Sequence, residues 1–227
     1  MMTLASLAQQ DMAQTRDSQL DSPGRRIRRL RRSDLPLDTV ALAKYLIGKS
    51  LVHRLPRVRL TGRIVETEAY LVGDAAAHSF RGLTPRNRSL FLDRGHAYVY
   101  FCYGNHFMLN VSGGPEGIGT GVLIRAVEPL AGIEAMKRAR RTDRLLDLAR
   151  GPGRVAEAFR ITPRLDGVDL VGGKASLWLG SAVRRAGPIG ESIRIGISKD
   201  AHRVLRFYEA GSPFVSGPKR LNADNAA

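Results

Sequence analysis

The run Arg63-Ile64-Val65-Glu66-Thr67-Glu68-Ala69-Tyr70 alternates with a period of two and reads as a strand. Ile64, Glu66, Glu68 and Tyr70 then share one face, with Val65, Thr67 and Ala69 on the other. Residues two apart on a strand lie about 6.7 Å apart along its axis, so Glu68 and Tyr70 can line one pocket. The competing reading is a half-exposed strand whose acids are solvated. Residues 97–112 impose a second restriction. Val99, Phe101 and Tyr103 alternate with Tyr98, Tyr100 and Cys102, Gly104-Asn105 is a turn dipeptide, and His106 to Ser112 is extended again. That is the pattern of a β-hairpin with Tyr103 at its tip. A tip tyrosine either folds back on its own hairpin or stands free as a wedge for a base stack.

Around these strands the chain supplies helices and further strands. Asp38 or Thr39 caps a helix carrying Val40, Ala43 and Ile47 on one stripe and ending at Gly48. Ser50 to Leu55 is a strand leading into a turn at Pro56. Pro129 opens a helix with Leu130, Ile133 and Met136 facing inward and basic residues from Lys137 to Arg141. Residues 141–150 read as a loop or a short helix. Gly151-Pro152-Gly153-Arg154 starts another helix, with Val155, Ala156 and Phe159 on one face. Free N–H groups there, with Arg154, can hold a phosphate, although a plain helix-starting loop explains the same residues. Residues 175–179, 193–197 and 203–208 alternate as strands.

The formal net charge is +15, mostly from arginine, which points to a polyanionic partner, nucleic acid before membrane. Six arginines between Arg25 and Arg32, broken only by Ile27 and Leu30, read as a flexible arm tracking phosphates or as a solvated start to the domain. The expected organisation is a basic, disordered arm over residues 1–33, a domain over 34–217 and a polar tail over 218–227. Cys102 is the lone cysteine, so there is no internal disulfide, and its place among aromatics suggests packing. The five histidines lack His-Glu-x-x-His spacing, and one cysteine cannot build a Cys-x-x-Cys zinc site. That argues against a zinc-dependent base deaminase; no metal site or cofactor is expected. Residues 1–24 lack a signal-peptide core and no long apolar run is present. The expectation is a soluble, intracellular monomer located with DNA, in the cytoplasm or nucleoid of a bacterium or the nucleus of a eukaryote.

Taken in order, the blocks RIVETEAY at 63–70, AAHS at 76–79, TPRNR at 84–88, YVY-x-x-YG at 98–104, NVS at 110–112 and LIRA-x-EPL at 123–130 resemble the alkyladenine (3-methyladenine) DNA glycosylase family. Weaker matches follow at 151–153, 205–208 and 211–213. The likeness implies an α+β fold: a single mixed domain with a curved, mainly antiparallel β-sheet, flanking helices and a protruding, DNA-intercalating hairpin. It implies a partner, double-stranded DNA containing damaged purines, and a monofunctional enzyme that leaves an abasic site. By this resemblance Glu68 is the base that activates water and Arg125 helps position the water and the target phosphate. Tyr70, Tyr100 and His78 receive the flipped base, Asn110 rejects the 2-amino group of normal guanine, and Tyr103 fills the gap in the duplex. Tyrosine faces suit a cationic alkylated purine, and the target atom is reached only by flipping. Arg86, Arg88, Gly153 and Arg154 are possible phosphate contacts, the first two on a loop that can equally brace the pocket.

Two other functions fit parts of the pattern. Charge alone fits a non-enzymatic nucleic-acid-binding module. Glu66 and Glu68, on one face about 6.7 Å apart, fit a carbohydrate glycosidase with paired carboxylates; the excess of arginine and near absence of tryptophan argue against a sugar groove. No catalytic role is assigned to Glu66.

Overall fold

A computed structural model describes residues 26–102, 104 and 106–222. Eight strands, β1 (Ser50–Leu55), β2 (Val58–Tyr70), β3 (Ala97–Cys102), β4 (His106–Ser112), β5 (Gly121–Ala131), β6 (Leu177–Gly180), β7 (Ile189–Ile193) and β8 (Val204–Glu209), form one curled antiparallel sheet. Among the described residues three α-helices accompany it: α1 (Thr39–Leu46), α2 (Ile133–Arg140) and α3 (Pro152–Ala158). The main path of the sheet is β3-β4-β5-β2-β1-β6. No helix among the described residues is long and apolar enough to cross a membrane.

Strand β2 is long enough to take three partners. One side runs along β5; the other pairs with β1 up to Arg63 and then with β8 along Glu66–Glu68. Strand β7 extends the branch beyond β8. Two successive irregularities mark the β2–β5 ladder. Ile64 pairs with Val127 and Glu66 with Ala126, leaving Val65 as an extra residue; Thr67 then pairs with Ile124, leaving Arg125 as an extra residue on β5. Bulges re-aim side chains, and a one-residue slip reverses the faces of everything beyond it. Ile64 therefore joins the main core, while Val65 packs on the other side with Ala126, Tyr208 and Val215. The expectation that Ile64 shares a face with Glu66, Glu68 and Tyr70 fails because of this bulge.

The core lies between the sheet and its helices. Asp38 caps α1 by accepting the Ala41 N–H at 2.7 Å, a bond worth about 1 kcal/mol. Leu42, Ala43 and Leu46 are fully buried, whereas Val40 of the expected stripe is only half-buried. The Thr67 hydroxyl donates to the Ala43 carbonyl at 3.0 Å, fixing α1 over β2. Pro129 does not open a helix. It lies in β5 opposite Gly62, beside a third irregularity that leaves Leu130 unpaired and exposed. A proline is tolerated where the ladder is already broken. The helix α2 begins four residues later, after Gly132, whose φ of 76° is left-handed. The expected strand at 193–197 is also displaced: β7 ends at Ile193 and Arg194 turns inward.

The described part of the arginine run, residues 26–33, packs on the domain instead of standing free. Leu30 is buried, and Arg29 bridges to Gly180 with its guanidinium over Trp178. Arg32 pairs with Asp169 at 2.7 Å. Leu30, one of the two apolar breaks in the run, is thus an anchor. At the other end, Arg206 donates to the Leu221 carbonyl and to Asn222 Oδ1, so residues up to 222 are tied down as well.

Candidate active site

The C-terminal half of β2 carries Glu66 and Glu68 into the sheet's second side, where both are wholly buried. The solvated-acid reading is therefore wrong. The Glu66 carboxylate accepts from Arg125 Nε at 2.9 Å, Arg206 Nε at 2.7 Å, the Ser216 N–H at 2.7 Å and the Ser216 hydroxyl at 3.0 Å. Three of these donors converge on Oε1, and the Ser216 N–H alone reaches Oε2. Burial opposes the charge, but the Arg125 and Arg206 guanidiniums prevail and hold Glu66 below the ordinary glutamate value. A wholly buried carboxylate held ionised between two guanidiniums is a poor proton donor, which argues against the paired-carboxylate glycosidase.

Glu68 is different. Its Oε1 accepts the Ile195 N–H at 2.8 Å and lies 3.2 Å from Arg125 Nη1; its Oε2 accepts the Tyr70 hydroxyl at 3.0 Å. One acceptor position on Oε2 remains unused. Burial pushes the carboxyl above its ordinary value of 4.5, with Arg125, Ile195 and Tyr70 pulling the other way. Arg125 owes its position between the two acids to the bulge that makes it the extra residue on β5. Burial works against its charge, but Glu68 and Glu66 keep it firmly protonated.

Above Glu68 lies a cavity of about 250 Å³ walled by Tyr70, His78, Tyr100, Asn110, Arg125 and Ile195. Glu68 itself is screened from it by its three partners, all of which line the cavity. Three rings form the far wall. Tyr98 and Tyr100 stack 5.3 Å apart, and His78 meets Tyr100 edge-on at 4.3 Å. His78 Nδ1 and the Tyr98 hydroxyl share a 2.8 Å hydrogen bond. Enclosure by its neighbours and the charge of Arg86 hold His78 below its ordinary value, so the imidazole is neutral at pH 7. Burial pushes the Tyr98 hydroxyl up to about 12. The Asn110 side-chain nitrogen is buried without a hydrogen-bond partner.

The structure thus gathers Glu68, Arg125, Tyr70, His78, Tyr100 and Asn110 around one cavity. Strands β3 and β4 form the expected hairpin, paired from Ala97–Val111 to Cys102–His106; Tyr103 lies outside the described residues. Cys102 lines the cavity near that end. Arg86 and Arg88 are exposed on a loop braced by the intervening Asn87, which donates to the His78 and Gly82 carbonyls at 2.9 and 3.0 Å. Gly153 abuts His106: a Cβ there would meet the ring at 2.8 Å, so only glycine lets α3 approach the hairpin. Arg154 is paired with Asp147 at 3.0 Å. Sequence reasoning missed Tyr98, Ile195 and the buried Arg194–Asp74 pair. Tyr98 opens the YVY-x-x-YG block but was given no role, and the others lie in segments without a motif. No group of histidines, cysteines and acids among the described residues is arranged to hold a metal ion.

Comparison with known proteins now bears on this arrangement. Residues 33–213 match the family described as methylpurine-DNA glycosylase. A relative from Mesorhizobium japonicum, provisionally named a 3-methyladenine DNA glycosylase, is 65% identical over 190 residues, 84% of this chain and 91% of its own length. One of the same name from Paraburkholderia phytofirmans is 53% identical over 85% of this chain and 90% of its own. A third, from Methanoculleus marisnigri, is 49% identical over 79% and 94%.

Proposed function

The chain belongs to the methylpurine-DNA glycosylase family, and from that premise we propose that it is a monofunctional enzyme of base-excision repair acting on damaged purines in duplex DNA. The reading takes 3-methyladenine and 7-methylguanine as substrates, with hypoxanthine and ethenoadenine as further candidates. One observation carries it: a buried carboxylate with a single unused acceptor position lies beneath a cavity of stacked aromatic rings.

The lesion is flipped from the duplex and enters between Tyr70 and Tyr100. Electron-rich ring faces favour a purine made cationic by alkylation. Neutral His78 adds hydrogen bonding without repelling that charge. A water on the free position of Glu68 Oε2 faces the sugar C1′. As the bond from C1′ to the base nitrogen breaks, its electron pair leaves with the base, which becomes neutral when it was alkylated. The water oxygen bonds to C1′ and its proton passes to Glu68. Arg125 holds Glu68 and helps position the water and target phosphate. The unpartnered Asn110 nitrogen opposes another N–H donor, which disfavours the 2-amino group of guanine. Tyr103 fills the vacated stack, and Arg86, Arg88, Gly153 and Arg154 contact phosphates. No lysine is needed as a nucleophile, so the strand stays intact. One protein molecule suffices for each lesion.

The test is single-turnover base release from duplexes carrying one hypoxanthine or one methylated purine, in EDTA. Abasic sites with strand breaks only after alkali are expected. Tight, salt-sensitive DNA binding with no release from either duplex would mean a binding module instead.

A further inference from the structure

Arg194 is buried, lies outside every strand and has no part in the mechanism above. Its guanidinium pairs with Asp74, which is also wholly buried; Nη2 donates to Asp74 Oδ1 at 2.9 Å, and Nη1 donates both to the same carboxylate and to the Ala69 carbonyl at 3.1 Å. The same guanidinium lies over the Tyr70 ring, 4.6 Å from its centre. Tyr70 is the residue whose hydroxyl donates to Glu68 Oε2. The next residue along the chain, Ile195, donates its N–H to Glu68 Oε1. One buried arginine is therefore attached, by stacking and by peptide linkage, to two of the three groups that hold Glu68.

We propose that Arg194, clamped by Asp74, is a positioning residue that sets Tyr70 and the Ile195 N–H against Glu68, leaving one Oε2 position free for water. The inference rests on the proposed role of Glu68. The geometry gives each part a task. The Asp74 pair and the Ala69 carbonyl fix the plane of the guanidinium, so the Tyr70 ring resting on it can pivot little. The bonds to Ala69 and Asp74 join the end of β2 and the loop beyond it to the segment after β7, which carries Ile195 but has no ladder of its own. A lysine can keep the charge beside Asp74 but not the flat surface under Tyr70.

The charged and titratable groups facing Glu68 are Arg125 from β5, Glu66 and Tyr70 from β2, and Arg194 itself. Tyr100 acts on Tyr70, Arg203 lies 4.0 Å from Asp74 and 3.8 Å from the Asp200 carboxylate, and Arg194 Nη2 also donates to the Asp200 carbonyl at 3.4 Å. Loosening Tyr70 and the Ile195 N–H removes stabilisation from the ionised carboxylate. Its protonation then moves to higher pH.

The experiment compares wild type, Arg194→Lys, Tyr70→Phe and the double variant in single-turnover base release from a methylated duplex across pH. Arg194→Lys is expected to slow release at saturating enzyme roughly 10- to 100-fold, part of the factor a positioned base supplies. Half-saturation by DNA should stay within about threefold, since no DNA contact is touched. The acid limb should shift to higher pH in both single variants. The double variant should be little slower than the slower single one, because both changes act on one bond. Tyr70→Phe keeps the ring and the ion pair, so it tests that bond without the hazard of an unfolded core. Full activity with an unmoved acid limb in Arg194→Lys, or additive losses in the double variant, overturns the proposal while leaving the enzyme reading intact. Wild type that releases no base overturns both.

Discussion

Glu66 and Glu68 are the same residue type, two apart on one strand and equally buried, yet neutralising each should do opposite things. Glu66→Gln removes the charge facing Arg125 and Arg206, leaves two guanidiniums buried against a neutral amide, and turns one acceptor into a donor aimed at donors. Breaking a buried ion pair costs about 3–5 kcal/mol. For a chain of this size each kcal/mol lowers Tm by roughly 2–4 °C, so the loss is on the order of 6–20 °C. Glu68 is held above its ordinary pKa of 4.5 by burial, so at pH 7 its charge works against the folded state. Glu68→Gln should therefore leave Tm unchanged or raise it, while base release falls by about 10²–10⁴. The pH dependence separates them again. Glu66, held low, contributes stability that is complete above the unfolded value and lost as pH falls through its folded value. Glu68, held high, binds its proton more tightly when folded, so its contribution to stability declines as pH rises from the unfolded value through the folded one. The assays are thermal melts by circular dichroism from pH 3.5 to 8 and single-turnover release from a methylated duplex. Equal melting losses in the two variants, or normal release by Glu68→Gln, would refute the division of labour.

Three further outcomes are expected. Tyr103→Ala should weaken lesion binding and flipping, measured by fluorescence of a reporter base beside the lesion, with Tm unchanged; unaltered flipping removes Tyr103 as the wedge. Asn110→Ala should raise release of unmodified guanine relative to the methylated purine, read by chromatography of released bases, and an unchanged ratio would show that discrimination lies elsewhere. Replacing Arg86 and Arg88 by alanine should lower the slope of log binding constant against log salt on undamaged duplex by roughly 0.9 per residue, and an unchanged slope means these side chains touch no phosphate.

The cavity was more legible than what supports it. Glu68, Tyr70, His78, Tyr100, Asn110 and Arg125 sit in short runs of distinctive order, so resemblance found them without any three-dimensional information. Alternation alone did not, since a solvated Glu-x-Glu strand has the same letters. What separates the two cases is the location of the cations. Arg125 is 59 residues from Glu66 and Arg206 is 140 away, and only the branching of β2 onto both β5 and β8 brings them together. The Arg194–Asp74 pair, 120 residues apart, was invisible for the same reason. The errors in the fold were local. Pro129 carries the helix-starting signal of a proline, but the bulge at Leu130 excuses it from the ladder, and the helix waits for Gly132.

The two neighbouring bulges also explain why this site needs so much buried charge. Were Val65 paired in a regular ladder, the period of two would keep Ile64, Glu66 and Glu68 on one face, and the acids would share the apolar core. Were Arg125 paired in a regular ladder, its guanidinium would fall out of step with both carboxylates. A regular ladder thus cannot deliver a buried acid and its cation to the same side here, and a pair of compensating slips can, because the second restores the register that the first disturbs. Deleting Val65 makes Ile64 and Glu66 neighbours, and alternation then places them on opposite faces, the arrangement that the bulge already gives. The deletion variant should therefore fold, with a drop in Tm set by the lost contacts of Val65 to Ala126, Tyr208 and Val215 and close to that of Val65→Ala. A deletion variant that yields no soluble folded protein would mean that the bulge does more than set the faces of β2.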